Sequence, residues 1–123
     1  MPQQDAELNI TPVELYQYTS CENAFQIAIE FGITEKMLKE EKINDLSLGN
    51  KRKVYLALAL SQNNKYLFLD EPTNHLDTYG ITIFKKKIKE FQGGAFIVSH
   101  ERGLCEVINC QYEIRNGIIR CKN

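Results

Sequence analysis

The run Tyr66 to Leu69 is uninterrupted and apolar, and it stops at Asp70, Glu71 and Pro72. Its lack of alternation between apolar and polar residues is typical of a strand that is covered on both faces in a parallel sheet. Proline has no N–H to donate to a sheet ladder, so Pro72 marks the end of that strand. The feature predicts an α/β fold around a parallel sheet.

The residues that follow predict a helix and a second strand. Ile81, Phe84, Ile88 and Phe91 recur at helical spacing, and Gly93-Gly94 closes that helix. The next apolar run, 95–98, predicts a second buried strand, and the residues after it predict a short helix over 101–107. Further on, Asn116-Gly117 is a strong signal for a two-residue hairpin turn between two strands.

The first half of the chain predicts small helices joined by short turns. Thr11-Pro12 is a helix start, Gly32 ends a second helix over 22–31, and Thr34 caps a third. A fourth helix is predicted over 51–60, behind Ser47. We therefore expect two parts, a helical one at residues 1–64 and a strand-containing one at 65–123.

Polar residues follow both predicted strands: Asp70 and Glu71 after the first, and His100 after the second. Ligands collect at the carboxyl ends of parallel strands, so these side chains are expected to converge on one edge. One carboxylate there can hold Mg²⁺ while its neighbour orients an attacking water. Each residue alone is also compatible with an ordinary strand-ending turn.

The segment from Ser47 to Asn50 is a second candidate site. Ser47 is a good cap, Gly49 lets a ligand approach the backbone, and the N–H groups of a first helical turn bind anions. Lys51 and Arg52 follow directly. On local evidence the segment is equally compatible with an ordinary capped helix.

Three strings together carry a resemblance to a known family: LSLGNKRKVYLALAL, then YLFLDEPTNHLD, then FIVSH. They resemble the signature motif and its helix, the Walker B strand with the D-loop, and the switch-histidine strand of ABC ATPases. The resemblance implies a partial P-loop NTPase fold of the ABC ATPase type: a helical subdomain, the two strands named, and a C-terminal β-hairpin. The NHLD ending is similar to that of the F subfamily, whose members act on ribosomes.

The resemblance also implies residue roles. Asp70 would bind Mg²⁺, Glu71 would activate water, and His100 would sense the γ-phosphate. Ser47, Gly49 and Asn50 would contact the ATP held by a partner cassette, and Asp77 would be the D-loop acid facing that partner. The loop glutamine would be Gln3, with Gln4 as the less favoured choice.

The sequence departs from the family pattern in two places. Leu48 stands where the family has glycine, and Asn50 stands where it has glutamine. None of the seven glycines is followed by lysine, so the chain shows no Walker A phosphate loop. We therefore expect the chain alone to be inactive. We expect it to be either a fragment or truncated product of a longer cassette, or a protein that works without its own nucleotide.

Net charge and hydropathy limit the classes of partner that the chain can have. The net charge of −1 gives no overall attraction for DNA, and no apolar run approaches the length of a membrane span. Charge and hydropathy therefore predict a cytoplasmic protein. The resemblance implies that its partners are a second ABC cassette and a ribosome. Two other functions stay open: the nucleotide-binding subunit of an ABC transporter, and a non-catalytic module that supplies its signature and D-loop in trans.

Overall fold

The protein is described by a computed structural model that covers residues 9–62, 66–91, 94–99, 112–115 and 118–121. Its elements are helices and short strands in the order that the sequence predicts from Thr11 onward. The helices are α1 (Pro12–Tyr18), α2 (Asn23–Glu30), α3 (Glu35–Glu40), α4 (Leu48–Ser61) and α5 (Thr78–Glu90), with a 3₁₀ turn at Ile43–Asp45. The strands are β1 (Tyr66–Asp70), β2 (Gly94–Val98), β3 (Tyr112–Arg115) and β4 (Ile118–Cys121).

Local capping fixes where the first helices begin and end. Thr11 and Glu14 form a reciprocal capping box at the start of α1, and Thr34 accepts a hydrogen bond from the Met37 N–H at the start of α3. Gly32 follows α2 with a φ of +100°, a conformation that side chains rarely adopt. The predicted helix starts and the glycine stop are confirmed.

Two apolar clusters hold these elements together. The first lies among helices α1 to α4 and includes Tyr16, whose hydroxyl donates to the Val54 carbonyl at 2.9 Å. The second joins the helices to the sheet and consists of Phe31, Leu56, Leu67, Phe84 and Ile88. Because this second cluster takes residues from both sides of position 64, the division into 1–64 and 65–123 stays a prediction.

β1 and β2 pair in parallel, which confirms the predicted sheet type. The predicted burial of both faces is wrong. Leu67 is buried in the second cluster, whereas Tyr66 is 76% and Phe68 is 77% exposed. Successive residues of a strand point to opposite faces, and within the described residues only one face is packed against helices.

The open face of the sheet is aromatic. Phe68 lies opposite Phe96 in the parallel register, and their rings stack with centroids 4.9 Å apart. Val98 is also exposed. We call the side chains of Tyr66, Phe68, Phe96 and Val98 the open sheet face.

β3 and β4 pair antiparallel with Arg115 opposite Ile118, which confirms the predicted hairpin. The turn residues 116–117 and the helix predicted over 101–107 lie outside the described residues. Among the described helices, none is long and apolar enough to cross a membrane.

The open sheet face predicts self-association of the isolated chain, because contiguous exposed apolar surface is a site of aggregation. Phe68→Thr should shift the chain towards monomer in sedimentation velocity and leave its far-ultraviolet circular dichroism unchanged. The matched control is Leu67→Thr on the packed face, which should instead destabilise the fold. A wild-type chain that is already a monodisperse monomer with a sharp melt at high temperature would contradict the prediction.

Candidate functional site

The end of β1 turns sharply at Glu71. Asp70 is the last residue of the strand and is exposed, and the Glu71 N–H donates to the Val98 carbonyl at 2.6 Å. Glu71 has a φ of +48°, in the left-handed region that costs a non-glycine residue free energy. The two adjacent carboxylates therefore lie at the carboxyl end of the parallel pair.

Residues 71–77 form a hydrogen-bonded loop between β1 and α5, which we call the acidic loop. The Asn74 N–H donates to the Glu71 carbonyl and the Leu76 N–H donates to the Thr73 carbonyl, each at 3.1 Å. Thr73 is buried. His75 has a φ of +67°, so the loop contains two left-handed non-glycine residues. Local hydrogen bonds and burial hold this conformation in place.

Asp77 ends the acidic loop and caps α5. Its Oδ1 accepts the Gly80 N–H at 2.7 Å and lies 3.5 Å from the Lys53 Nζ. The hydrogen bond from the Gly80 N–H, followed by the nearby Lys53 ammonium, lowers the pKa of the Asp77 carboxyl below its ordinary value. Asp77 therefore remains ionised at neutral pH.

Ser47 caps α4, as the sequence predicts. Its Oγ accepts the Asn50 N–H at 3.2 Å. The N–H groups of Leu48 and Gly49 belong to the first turn of α4, which has no preceding turn of carbonyls to accept them, so they lie at the positive end of the helix. This end has the donors and the electrostatic sign that a phosphate requires.

The side chains beside Ser47 affect access to that helix end. Leu48 is 61% exposed, so its isobutyl group occupies space in front of the first turn. The Asn50 amide lies against the Met37 Sδ at 3.9 Å, which is a weak contact with α3. The structure therefore places Asn50 against α3 through its side chain, and its predicted contact with a nucleotide stays a prediction.

Gly49 brings the two candidate segments together. A Cβ atom built on Gly49 would lie 2.7 Å from the His75 carbonyl oxygen, closer than real Cβ atoms come. The first turn of α4 therefore touches the backbone of the acidic loop, and only glycine permits that approach. Ser47, Gly49, Glu71 and Asp77 belong to one contiguous region of the molecule.

Lys53 is a residue of this region that sequence reasoning missed. It is 7% exposed although it is charged, and it belongs to the same helix as Lys51 and Arg52, which are half-buried. The available signal is helical spacing, because Lys53 lies one turn before the buried pair Leu56 and Ala57 and one turn after Gly49. Residues three and four apart share a helix face.

Gln3, the alternative Gln4 and His100 lie outside the described residues. Their roles as loop glutamine and switch histidine stay predictions. The described residues contain no cluster of three or more His, Cys, Asp or Glu side chains that could hold a metal ion by themselves.

The residues at the end of β1 fit a magnesium nucleotide in chemical type. Mg²⁺ is commonly held by one or two carboxylates together with substrate phosphates, and Asp70 offers an exposed carboxylate next to that of Glu71. The α4 terminus fits phosphate oxygens for the reason given above. The donor set thus matches Mg²⁺ and ATP, provided that the phosphates are held by groups from elsewhere.

Comparison with known proteins agrees with this chemistry. A family model described as ABC transporter matches residues 2–74. The chain is 36% identical over 111 residues to ATP-binding cassette sub-family F member 2 of Mus musculus, covering 86% of this chain and 18% of that protein. It is 42% identical over 86 residues to elongation factor 3 of Candida glabrata, covering 70% of this chain and 8% of that protein.

A solved structure agrees at the level of the fold. A bacterial ABC transporter cassette, determined as a dimer, superimposes with a TM-score of 0.62 and 22% identity, over 78% of this chain and 43% of that one. The chain thus spans a small part of the curated relatives named above and less than half of this single cassette.

Gly49→Ala should destabilise the chain by about 1–3 kcal/mol, because the added methyl group forces the His75 carbonyl away from α4. Alanine is otherwise the better helix former, so a stabilised variant would show that the close contact does not exist. Chemical denaturation followed by circular dichroism measures the difference. Leu48→Ala, one residue earlier and exposed, is the matched control and should be close to neutral.

Acid should remove the contribution of Asp77. Its pKa is lower in the folded chain than the ordinary value of 3.8, so the stabilisation is present above that value and is lost as the pH falls through the folded pKa. Asp77→Asn keeps a capping side chain but removes the charge. Its melting temperature should lie below that of the wild type at pH 7, and the difference should shrink as the pH falls below 3.8. A difference that does not change with pH would refute the assignment.

Proposed function

The chain belongs to the ABC transporter family, as a partial ABC ATPase domain most like the F subfamily, and we propose that it supplies half of a composite ATP site. The observation that carries the proposal is the close approach of Gly49 to the His75 carbonyl. That contact puts the N-terminus of α4, whose N–H groups suit a phosphate, beside the loop that begins at Glu71. The α4 terminus can then face a nucleotide on a partner cassette, while Glu71 belongs to the half of the site on this chain's own side of the interface.

The roles of the side chains follow from their chemistry. Asp70 would hold Mg²⁺ by a carboxylate oxygen, and Glu71 would orient a water and accept its proton. Bound Mg²⁺ neutralises charge on the phosphates. Ser47 and the N–H groups of Leu48 and Gly49 would bind phosphate oxygens of ATP held by the partner. Asp77 would face that partner from the start of α5.

A composite site explains how such a chain can act without a glycine–lysine phosphate loop. Phosphoryl transfer depends mainly on positioning and electrostatic stabilisation, and no segment of this sequence has the Walker A pattern to hold the phosphates. Asp70, Glu71 and His100 would therefore be idle unless such a segment joins them. The α4 end needs no such segment of its own, because the partner holds the nucleotide.

The proposed task is on the ribosome. Supporting it are the NHLD ending of the acidic loop and the identity shared with an F-subfamily protein and with an elongation factor. Translation control or antibiotic protection in the cytoplasm are the activities we propose for the protein or its longer relatives. Ribosome co-sedimentation that depends on ATP and an added cassette partner would support this task.

A transporter subunit is the second candidate, favoured by the description of the matching family and by the transporter cassette with the same fold. It would bind a membrane partner through its helical part. Co-purification with membrane proteins and failure to sediment with ribosomes would favour it over the ribosomal task.

The chain alone should bind Mg²⁺-ATP weakly, with no saturation in the micromolar range by calorimetry, and should release no phosphate. It should restore turnover when it is mixed with an intact F-type cassette whose own signature serine is mutated, because Ser47 can replace that serine across the interface.

Two variants make this experiment specific. Ser47→Ala should abolish the restored turnover, whereas Glu71→Gln should leave it, because the partner's own carboxylate activates water in that site. Micromolar ATP binding by the isolated chain would overturn the proposal. So would restored turnover that survives Ser47→Ala and disappears with Glu71→Gln.

A further inference from the structure

Lys53 is a charged side chain in an unusual environment. Its side chain is 9% exposed, and its Nζ lies 3.5 Å from the Asp77 Oδ1. Removing an ammonium group from water is costly unless a charge or hydrogen-bonding partner compensates. Asp77 supplies that compensation while its own side chain stays 65% exposed. The ion pair thus joins the interior of the molecule to its surface.

Gly80 makes room for the Lys53 stem, and Gly32 lies within ordinary contact distance of its ammonium group. A Cβ atom on Gly80 would lie 3.2 Å from the Lys53 Cε, and one on Gly32 would lie 4.0 Å from its Nζ. The lysine stem therefore passes beneath the first turn of α5 and beside the end of α2. Tyr79 encloses the same space, with its ring against Gly32 and its hydroxyl donating to the Glu30 carbonyl at 2.9 Å.

Lys53 and Gly49 act on the same loop from one helix. They lie four residues apart on α4, so they share a face of that helix. Gly49 touches the carbonyl of His75, and Lys53 pairs with the carboxylate of Asp77. The acidic loop is therefore attached to α4 at two points, and its other end is Glu71.

We propose that Lys53 is a positioning residue that holds the acidic loop against the first turn of α4. The inference rests on the proposed function in one respect. The acidic loop matters for ATP hydrolysis because it begins at Glu71, the residue proposed to orient the water.

The test is native-state hydrogen exchange on the full chain without nucleotide, so its outcome is independent of ATP binding. The reporters are the amides of Asn74 and Leu76, whose hydrogen bonds lie inside the loop. Lys53→Met should accelerate their exchange by about tenfold, because the loop opens locally. The Leu38 amide, which is bonded to the Thr34 carbonyl in the first cluster, should keep its rate.

Two further variants separate positioning from general stability. Lys51→Met removes the same charge from the same helix and should leave the Asn74 and Leu76 rates unchanged. Lys53→Arg keeps the cation and should restore most of the protection lost in Lys53→Met. Equal acceleration in Lys51→Met and Lys53→Met would overturn the proposal, and so would acceleration of Leu38 to the same extent as Asn74.

Asp77→Asn decides the matter if Lys53→Met does not fold. Asparagine still caps α5, so the variant removes only the negative partner of Lys53. It should accelerate exchange at Asn74 and Leu76 and not at Leu38. Unchanged rates at both loop amides would overturn the proposal.

Discussion

The contact between α4 and the acidic loop is the constraint on which the site depends. A glycine at position 49 lets the helix terminus reach the His75 carbonyl, and the buried Lys53 binds Asp77 one turn further along. These contacts place the N-terminus of α4 against the loop that follows the adjacent carboxylates Asp70 and Glu71.

The described residues leave one face of the β1–β2 sheet uncovered. Leu67 and Leu69 pack into the second cluster, while Tyr66 and Phe68 remain open on the opposite face. Asp70 is the last residue of the same strand. The open sheet face therefore lies next to Asp70, the proposed ligand of Mg²⁺. The curated relatives are several times longer than this chain.

Much of the local structure could be predicted because its causes are local. Thr11, Thr34 and Ser47 cap helices through their own hydroxyl groups, and Gly32 stops a helix because it adopts a positive φ. The parallel pairing of β1 and β2 also follows from apolar runs separated by a helix. Burial of the second sheet face could not be predicted from the run itself, because it depends on what packs there.

The site was only partly predictable for the same reason. Asp70, Glu71 and Ser47 are marked by their positions at the ends of elements. Lys53 is not, because a lysine in a helix is ordinarily solvent-exposed, and its burial depends on the close approach of α5 that Gly80 permits. The left-handed backbone at Glu71 and His75 has no local sequence signal either, since neither residue is glycine.

We propose that this chain presents its α4 terminus to a nucleotide held by another cassette. Photolabelling with an ATP analogue that is reactive at its γ-phosphate tests it most directly, with labelled sites located by mass spectrometry. We expect labelling at residues 47–50 only when an intact cassette is present, and none in the chain alone. Labelling of the chain alone at residues 66–71, or no labelling at 47–50 in the mixture, would contradict it.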